Sequence, residues 1–183
     1  GLKACAYELI ARVDSDDRSV PDRFQKQATY LHSESAISVV GGGLREHYIV
    51  DGSSTSVIRQ NPTNHVSIRQ TAKWRNPMNH PTVMFRKTDV LACNSYEFCP
   101  LFEDYYLWAK MLINGYALSN LPEVLVETEV DSDYFRRRGG VTYVRNELRL
   151  VRELRKIGFL SPIEASAFIL SRLSIRCAPV FLR

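Results

Sequence analysis

Three carboxylates within four residues, in Asp14-Ser15-Asp16-Asp17, are the groups of this chain best suited to chemistry. Like charges this close raise one another's pKa and repel unless a cation lies among them. Oxygen ligands suit a hard divalent ion such as Mg²⁺ or Mn²⁺, which commonly recruits a phosphate group. A solvated acidic turn is the alternative for this acidic motif taken alone, so its surroundings have to decide between the two.

The flanking residues predict that the acidic motif lies between a strand and a helix. Residues 8–13 are mostly apolar and predict a short strand. Residues 19–27 predict a helix start, with Ser19 as the N-cap and Pro21 in the first turn. The acidic motif is therefore expected at the C-terminal end of a strand.

The rest of the chain predicts alternating strands and helices, which indicates an α/β protein. Gly41-Gly42-Gly43 predicts a flexible strand end rather than a phosphate loop, because no Lys-Ser/Thr pair follows it. Asp51-Gly52 predicts a hairpin turn, and Gly115 predicts the end of a helix. Strands are expected at 36–40, 44–50, 55–58, 81–85, 116–121 and 124–130, and helices at 21–32, 63–74, 87–93, 103–114, 141–157 and 162–176.

The composition is that of an ordinary globular domain, with 183 residues, 45% of them hydrophobic and 24% charged. The four cysteines form no CxxC pair and have no histidine at zinc-finger spacing, which predicts reduced thiols in the cytoplasm.

The charge is distributed unevenly along the chain. Residues 1–133 hold 13 basic and 17 acidic residues, whereas residues 134–183 hold 11 and 3. The basic segment comes without a recognisable nucleic-acid module, so nucleic acid is not the predicted partner. Attraction to a diphosphate or to an anionic membrane surface suits it better, and a solvated helix face is the alternative.

Three further motifs follow the acidic one, at 75–87 (RNPMNHPTVMFRK), 102–108 (FEDYYLW) and 120–125 (NLPEVL). In this order and spacing the chain resembles a family 2 glycosyltransferase of the GT-A fold, of the bacterial surface-polysaccharide type. The resemblance implies a Rossmann-like mixed sheet flanked by helices. Residues 1–140 would be the metal- and acceptor-binding portion of the catalytic domain, and residues 141–183 a basic helical tail.

The same resemblance implies that this portion is truncated at its N-terminus. The family places nucleotide-binding β/α units before the position of Gly1, so roughly 60–100 further residues are expected there. That portion would hold most of the groups that bind the base and the ribose.

The resemblance also assigns roles to the acidic residues. Asp14 and Asp16 match the DxD motif that holds Mg²⁺ or Mn²⁺ against the donor diphosphate, and Asp17 would support them or cap the next helix. Asp104 matches the general base of an inverting reaction, and Glu103 would orient the acceptor. A helix N-terminus lowers a carboxylate's pKa, so Asp104 is expected to be ionised at neutral pH.

Two further assignments concern basic side chains. His80 is expected to serve either a structural or an acceptor-site role. Arg136, Arg137 and Arg138 lie where relatives carry a segment that closes over the donor diphosphate. Many GT-A enzymes have a histidine metal ligand late in the domain, and no histidine follows His80 here.

The implied function is transfer of a sugar from a nucleotide-diphosphate donor to a hydroxyl of a lipid-linked or growing surface polysaccharide, such as lipopolysaccharide, capsule or exopolysaccharide. The enzyme would be cytoplasmic or peripheral at the inner face of the plasma membrane. One alternative is an inactive truncated remnant that acts at most as a binding piece. The other is a metal-dependent phosphatase, which leaves the motifs at 75–87 and 102–108 unexplained.

Overall fold

Two long strands form the centre of the sheet in the computed structural model, which describes residues 1–50, 53–130 and 140–177. The strands β3 and β6 are parallel neighbours, and every other strand pair is antiparallel. The strand order is β1-β5-β3-β6-β2, with β4 beside β3. This is the mixed sheet that the resemblance implied. The strands are β1 (Leu9–Ala11), β2 (Arg18–Ser19), β3 (Ile37–Val50), β4 (Ser53–Arg59), β5 (Met84–Arg86) and β6 (Ala117–Val130).

Six helices flank this sheet within the described residues, in the places that the sequence predicted to within a few residues. The side chain of Asn64 caps the second helix by accepting a hydrogen bond from the Ser67 amide. Gly115 follows the fourth helix at φ 85°, as expected for a glycine at a helix end. The helices are α1 (Arg23–Ser33), α2 (His65–Thr71), α3 (Lys87–Ala92), α4 (Glu103–Ile113), α5 (Gly140–Lys156) and α6 (Pro162–Cys177).

The prediction that the three glycines end a strand is wrong, because β3 runs through them without a break. The reason is the close approach of β6. A Cβ atom on Gly42 would lie 2.5 Å from Leu125 Cδ1, and one on Gly41 would lie 2.5 Å from Asn120 Oδ1. The glycines therefore permit close strand pairing. The β3–β4 hairpin is as predicted, although its turn residues, Asp51 and Gly52, lie outside the described residues.

The predicted start of the first helix is also wrong. Ser19 lies in β2, where it pairs with Val126, and the helix begins only after Asp22. The Ser19 hydroxyl accepts a hydrogen bond from Arg23 at 2.9 Å instead of capping the helix. Asp17 likewise lies too far back to cap it. Pairing with β6 holds this segment extended, and local sequence does not reveal that pairing.

The core lies around α4, which packs between the sheet and the last two helices. The helix buries Leu107, Trp108, Met111 and Leu112 completely. Buried residues of α5 and α6, including Leu154, belong to the same hydrophobic cluster. The helices α5 and α6 therefore help to hold α4, and with it Asp104, in position.

Candidate active site

The sequence-predicted residues meet in one open cleft of about 940 Å³. The acidic motif, His80 and Asp104 all line it, although they lie far apart in sequence. Glu103 lies in the first turn of α4 but does not line the cleft, and its role in orienting the acceptor stays a prediction. Arg136, Arg137 and Arg138 lie outside the described residues.

The acidic motif follows β1 in a compact turn. The Asp17 amide donates to the Asp14 carbonyl at 3.2 Å, and Arg12 Nη2 lies 2.8 Å from Asp14 Oδ1. Arg23, which is fully buried in α1, donates to the carbonyl of Arg12 at 2.8 Å. The Arg23 side chain thus fixes the backbone just before the turn. The carboxylates of the turn line the cleft.

The electrostatics of this turn fit a bound cation. Burial raises the pKa of Asp17, and the charges of Asp14 and Asp16 raise it further. Asp17 Oδ2 is buried without a hydrogen-bond partner. Within the described ranges, no three His, Cys, Asp or Glu side chains converge on a metal-binding point. A divalent ion held by Asp14 and Asp16 would therefore take its other ligands from water and phosphate oxygens.

Asp104 lies in the first turn of α4 with its side chain only 15% exposed. Asn76 Nδ2 donates to Asp104 Oδ2 at 2.6 Å. Burial raises the pKa of Asp104, and the hydrogen bonds from Asn76 and the Tyr105 amide oppose that shift. The sequence predicted a lowered pKa from the helix N-terminus, and that direction is wrong, because desolvation of the carboxylate outweighs the helix-end contribution.

His80 lies beside this carboxylate. Its Nδ1 is 3.8 Å from Asp104 Oδ2, and its Nε2 is 2.9 Å from the Tyr96 hydroxyl. Burial lowers the pKa of His80 to about 3, so the ring is neutral at physiological pH. The ring also makes an edge contact with Trp108, with 6.0 Å between the ring centroids. His80 is therefore a neutral neighbour of Asp104 rather than a second charge.

Several residues that line the cleft were not singled out from sequence. Asn76 was given no role of its own, although it lies in the motif at 75–87 that the sequence did identify. Glu46 is buried in β3 and bonds to Arg59 of β4 at 2.6 Å. The sequence did not reveal the position of Glu46. In a strand that pairs on both sides, the alternation of residues alone does not show which face of the sheet a charged residue lies on.

Comparisons with known proteins give the family of this chain. No family model matches the chain. The amylovoran biosynthesis glycosyltransferase AmsE of Erwinia amylovora is 33% identical over 183 residues, which cover 98% of this chain and 66% of that protein. An uncharacterized glycosyltransferase of Haemophilus influenzae is 33% identical over 182 residues, covering 100% of this chain and 67% of that protein. This chain belongs to the glycosyltransferases.

A further relative and a solved structure of similar fold extend this result. The Escherichia coli UDP-Gal:alpha-D-GlcNAc-diphosphoundecaprenol beta-1,3-galactosyltransferase is 29% identical over 183 residues, covering 100% of this glycosyltransferase and 66% of the relative. A mannosyltransferase from Pyrobaculum calidifontis, solved with GDP-Man and Mn²⁺, matches with a TM-score of 0.56 at 14% identity, over 97% of this chain and 47% of that one. The fold is therefore GT-A. The chain spans about two thirds of the length of these curated relatives.

Proposed function

We propose that this glycosyltransferase carries the metal- and acceptor-binding portion of an inverting, metal-dependent family 2 enzyme. It would move a sugar from a nucleotide-diphosphate donor to an acceptor hydroxyl during surface-polysaccharide synthesis. The observation that carries the proposal is the opening of two acidic groups, Asp14–Asp17 and Asp104, into one cleft. One group suits the leaving diphosphate with its cation, and the other suits the acceptor.

The reaction would be a single displacement. The acceptor hydroxyl oxygen attacks the anomeric carbon, and the bond from that carbon to the diphosphate oxygen breaks. The electron pair leaves with the nucleoside diphosphate, and the hydroxyl proton passes to the Asp104 carboxylate. Attack from the face opposite the leaving group inverts the anomeric configuration. The hydrogen bond from Asn76 holds the base in place, which keeps the attack in line.

The diphosphate end of the site would depend on the acidic motif. Asp14 and Asp16 would hold Mg²⁺ or Mn²⁺, which offsets the charge that develops on the leaving diphosphate. The partnerless buried oxygen of Asp17 supports a cation at this place. Arg136, Arg137 and Arg138 are proposed, on the family resemblance, to close over the same diphosphate.

We infer a lipid-linked acceptor, because the name of the E. coli relative specifies a sugar joined to diphosphoundecaprenol. Such an acceptor would place the enzyme at the inner face of the plasma membrane. None of the helices described here has the length and apolar composition to cross a bilayer. A row of exposed basic residues along α5 supports peripheral contact with anionic lipid, and its members are Arg145, Arg149, Arg152 and Lys156.

The substitution Asp104→Asn tests this function in the intact protein. Base catalysis typically contributes ~10²–10⁴-fold, so sugar transfer should fall by that order while donor binding persists. Asp89→Asn is the matched control, since Asp89 is a half-buried first-turn residue of α3 outside the cleft. Near-normal transfer in the Asp104 variant would remove it from the mechanism. Phosphate release without an acceptor would indicate a hydrolase instead.

The thermal stability of the Asp104→Asn variant separates lost chemistry from lost folding. A carboxyl whose pKa is raised by folding stabilises the protein below its unfolded pKa, and that contribution is lost as the pH rises through the folded pKa. Above its pKa in the folded protein, the ionised carboxylate of Asp104 therefore lowers the stability of the folded state. The variant should melt at the same temperature as the wild type or above it.

A further inference from the structure

The lining of the cleft divides into two groups by charge and contact. Thr128 and Glu129 line the cleft together with the acidic motif. The other group contains aromatic rings and arginines. Phe102 and Tyr143 meet edge to face, with 5.5 Å between their ring centroids. The first group suits a metal-bound diphosphate, and the second has to suit a different ligand.

Arg75 differs from the other arginines that line the cleft within the described ranges. Arg59 is bonded to Glu46 at 2.6 Å, and Arg172 lies 3.5 Å from Glu147. The Arg75 side chain has no hydrogen-bond or ion-pair partner among the described residues, and the residue is exposed. An arginine left uncommitted in a cleft otherwise rich in carboxylates points to a ligand that brings its own negative charge.

The position of Arg75 indicates which end of the reaction it serves. It directly precedes Asn76, whose side chain holds the Asp104 carboxylate at 2.6 Å. Asp104 would receive the proton of the acceptor hydroxyl. In a sugar joined to a lipid through a diphosphate, the nearest phosphate lies only one sugar ring away from such a hydroxyl. The backbone of Arg75 is thus one residue away from the group that holds the proposed base, which favours the acceptor end of the cleft.

We propose that Arg75 binds the diphosphate that joins the acceptor sugar to its lipid, an inference that rests on the proposed function. A guanidinium group presents paired N–H donors that match two phosphate oxygens. The rings of Phe102 and Tyr143, which line the same cleft, offer the apolar surface that a sugar face requires. Arg75 would thus select acceptors that carry a diphosphate over those that do not.

Binding of farnesyl diphosphate, measured by calorimetry on the intact protein in EDTA, tests this assignment. The EDTA removes the divalent cation on which the proposed donor site depends, and farnesol serves as the phosphate-free probe. We expect Arg75→Gln to weaken farnesyl diphosphate binding by about tenfold or more, with Arg75→Lys intermediate. Farnesol binding, the melting temperature and Mn²⁺-dependent binding of nucleoside diphosphate should not change.

The matched control is Arg18→Gln, which removes an exposed arginine of β2 outside both the cleft and the basic row of α5. Equal weakening in both variants would overturn the proposal in favour of non-specific attraction. Unchanged farnesyl diphosphate binding in Arg75→Gln would also overturn it, and so would a loss confined to the nucleoside diphosphate. Because the readout is binding, a failure of sugar transfer in the wild type would contradict the proposed function without affecting this result.

Discussion

At the scale of single residues, the surroundings of Asp104 disfavour the ionised form that its proposed role as a base requires. Asp104 has to be ionised to accept a proton, yet burial raises its pKa. Asn76 counteracts this by donating to the carboxylate at 2.6 Å, which favours the ionised form. The neutral ring of His80 adds no charge on either side. Asn76 is therefore a positioning residue that also tunes the base.

The substitution Asn76→Ala should shift the acid limb of the pH profile for kcat/KM to higher pH. The ionised base is active, so activity is present above the pKa of Asp104 and is lost as the pH falls through it. Removal of the Asn76 hydrogen bond raises that pKa further. The measurement is a pH–rate profile in the intact enzyme.

Asn79→Ala provides the comparison for this profile. Asn79 lines the same cleft, but its amide donates to the carbonyls of Gly42 and Arg59 rather than to Asp104. Its variant should lower the rate without moving the acid limb. An unmoved limb in Asn76→Ala, or the same shift in both variants, would contradict the tuning role.

At the scale of elements, α1 anchors the acidic motif through a buried arginine. Arg23 donates to the carbonyls of Arg12 and Val83, at 2.8 and 3.4 Å, and to side-chain oxygens of Ser19 and Gln27. Burial lowers its pKa to about 10, so the group is still charged at neutral pH. The Arg23 side chain therefore joins α1 to the residue after β1, the residue before β5, and β2.

The substitution Arg23→Lys should lower the free energy of unfolding by about 2 kcal/mol or more. An ammonium group cannot reach all the acceptors that the guanidinium group contacts, and each hydrogen bond lost from a charged donor reduces the stability. The measurement is the free energy of unfolding from urea titration. Lys26→Ala removes only an exposed ion pair with Asp22 in the same helix and should leave the urea midpoint nearly unchanged. Equal effects of the two substitutions would show that Arg23 is no anchor.

At the scale of the whole molecule, the charge is separated between the two ends of the chain. Residues 1–133 carry an excess of acidic residues, and residues 134–183 an excess of basic ones. The basic row on α5 is exposed, and Arg149 stacks over the exposed ring of Phe98 at 4.8 Å. A surface that combines cations with an apolar ring suits the interface of an anionic bilayer.

Replacing Arg145, Arg149 and Arg152 with glutamine should weaken binding to phosphatidylglycerol vesicles on the order of a hundredfold, since each basic residue near such a surface contributes about 1 kcal/mol. The measurement is vesicle sedimentation at low and high salt. Replacing Lys3, Arg18 and Lys26, which are exposed in the other half of the chain, changes the net charge equally and should have little effect. Equal loss in both triple variants would indicate attraction by net charge alone.

Sequence patterns predicted best those elements whose signals are local. The helix α4 and the two last helices lie where the sequence predicted them, because each has apolar side chains at helical spacing. The hairpin of β3 and β4 follows from alternating residues around a turn pair. The ordered motifs also sufficed to assign the glycosyltransferase family and its fold, which the relatives confirm.

Only the tertiary structure decided how those elements meet. The passage of β3 through Gly41–Gly43 depends on β6, which lies some 80 residues further along the chain. The pKa of Asp104 is raised because side chains of other elements bury its carboxyl group. The role of Asn76 depends on its hydrogen bond to Asp104, which lies 28 positions further along the chain. Residue types and spacing determine which chemistry is available, because they act locally. Desolvation and strand proximity arise only from packing, and here they raise the pKa of the proposed base and fix the path of the central strand.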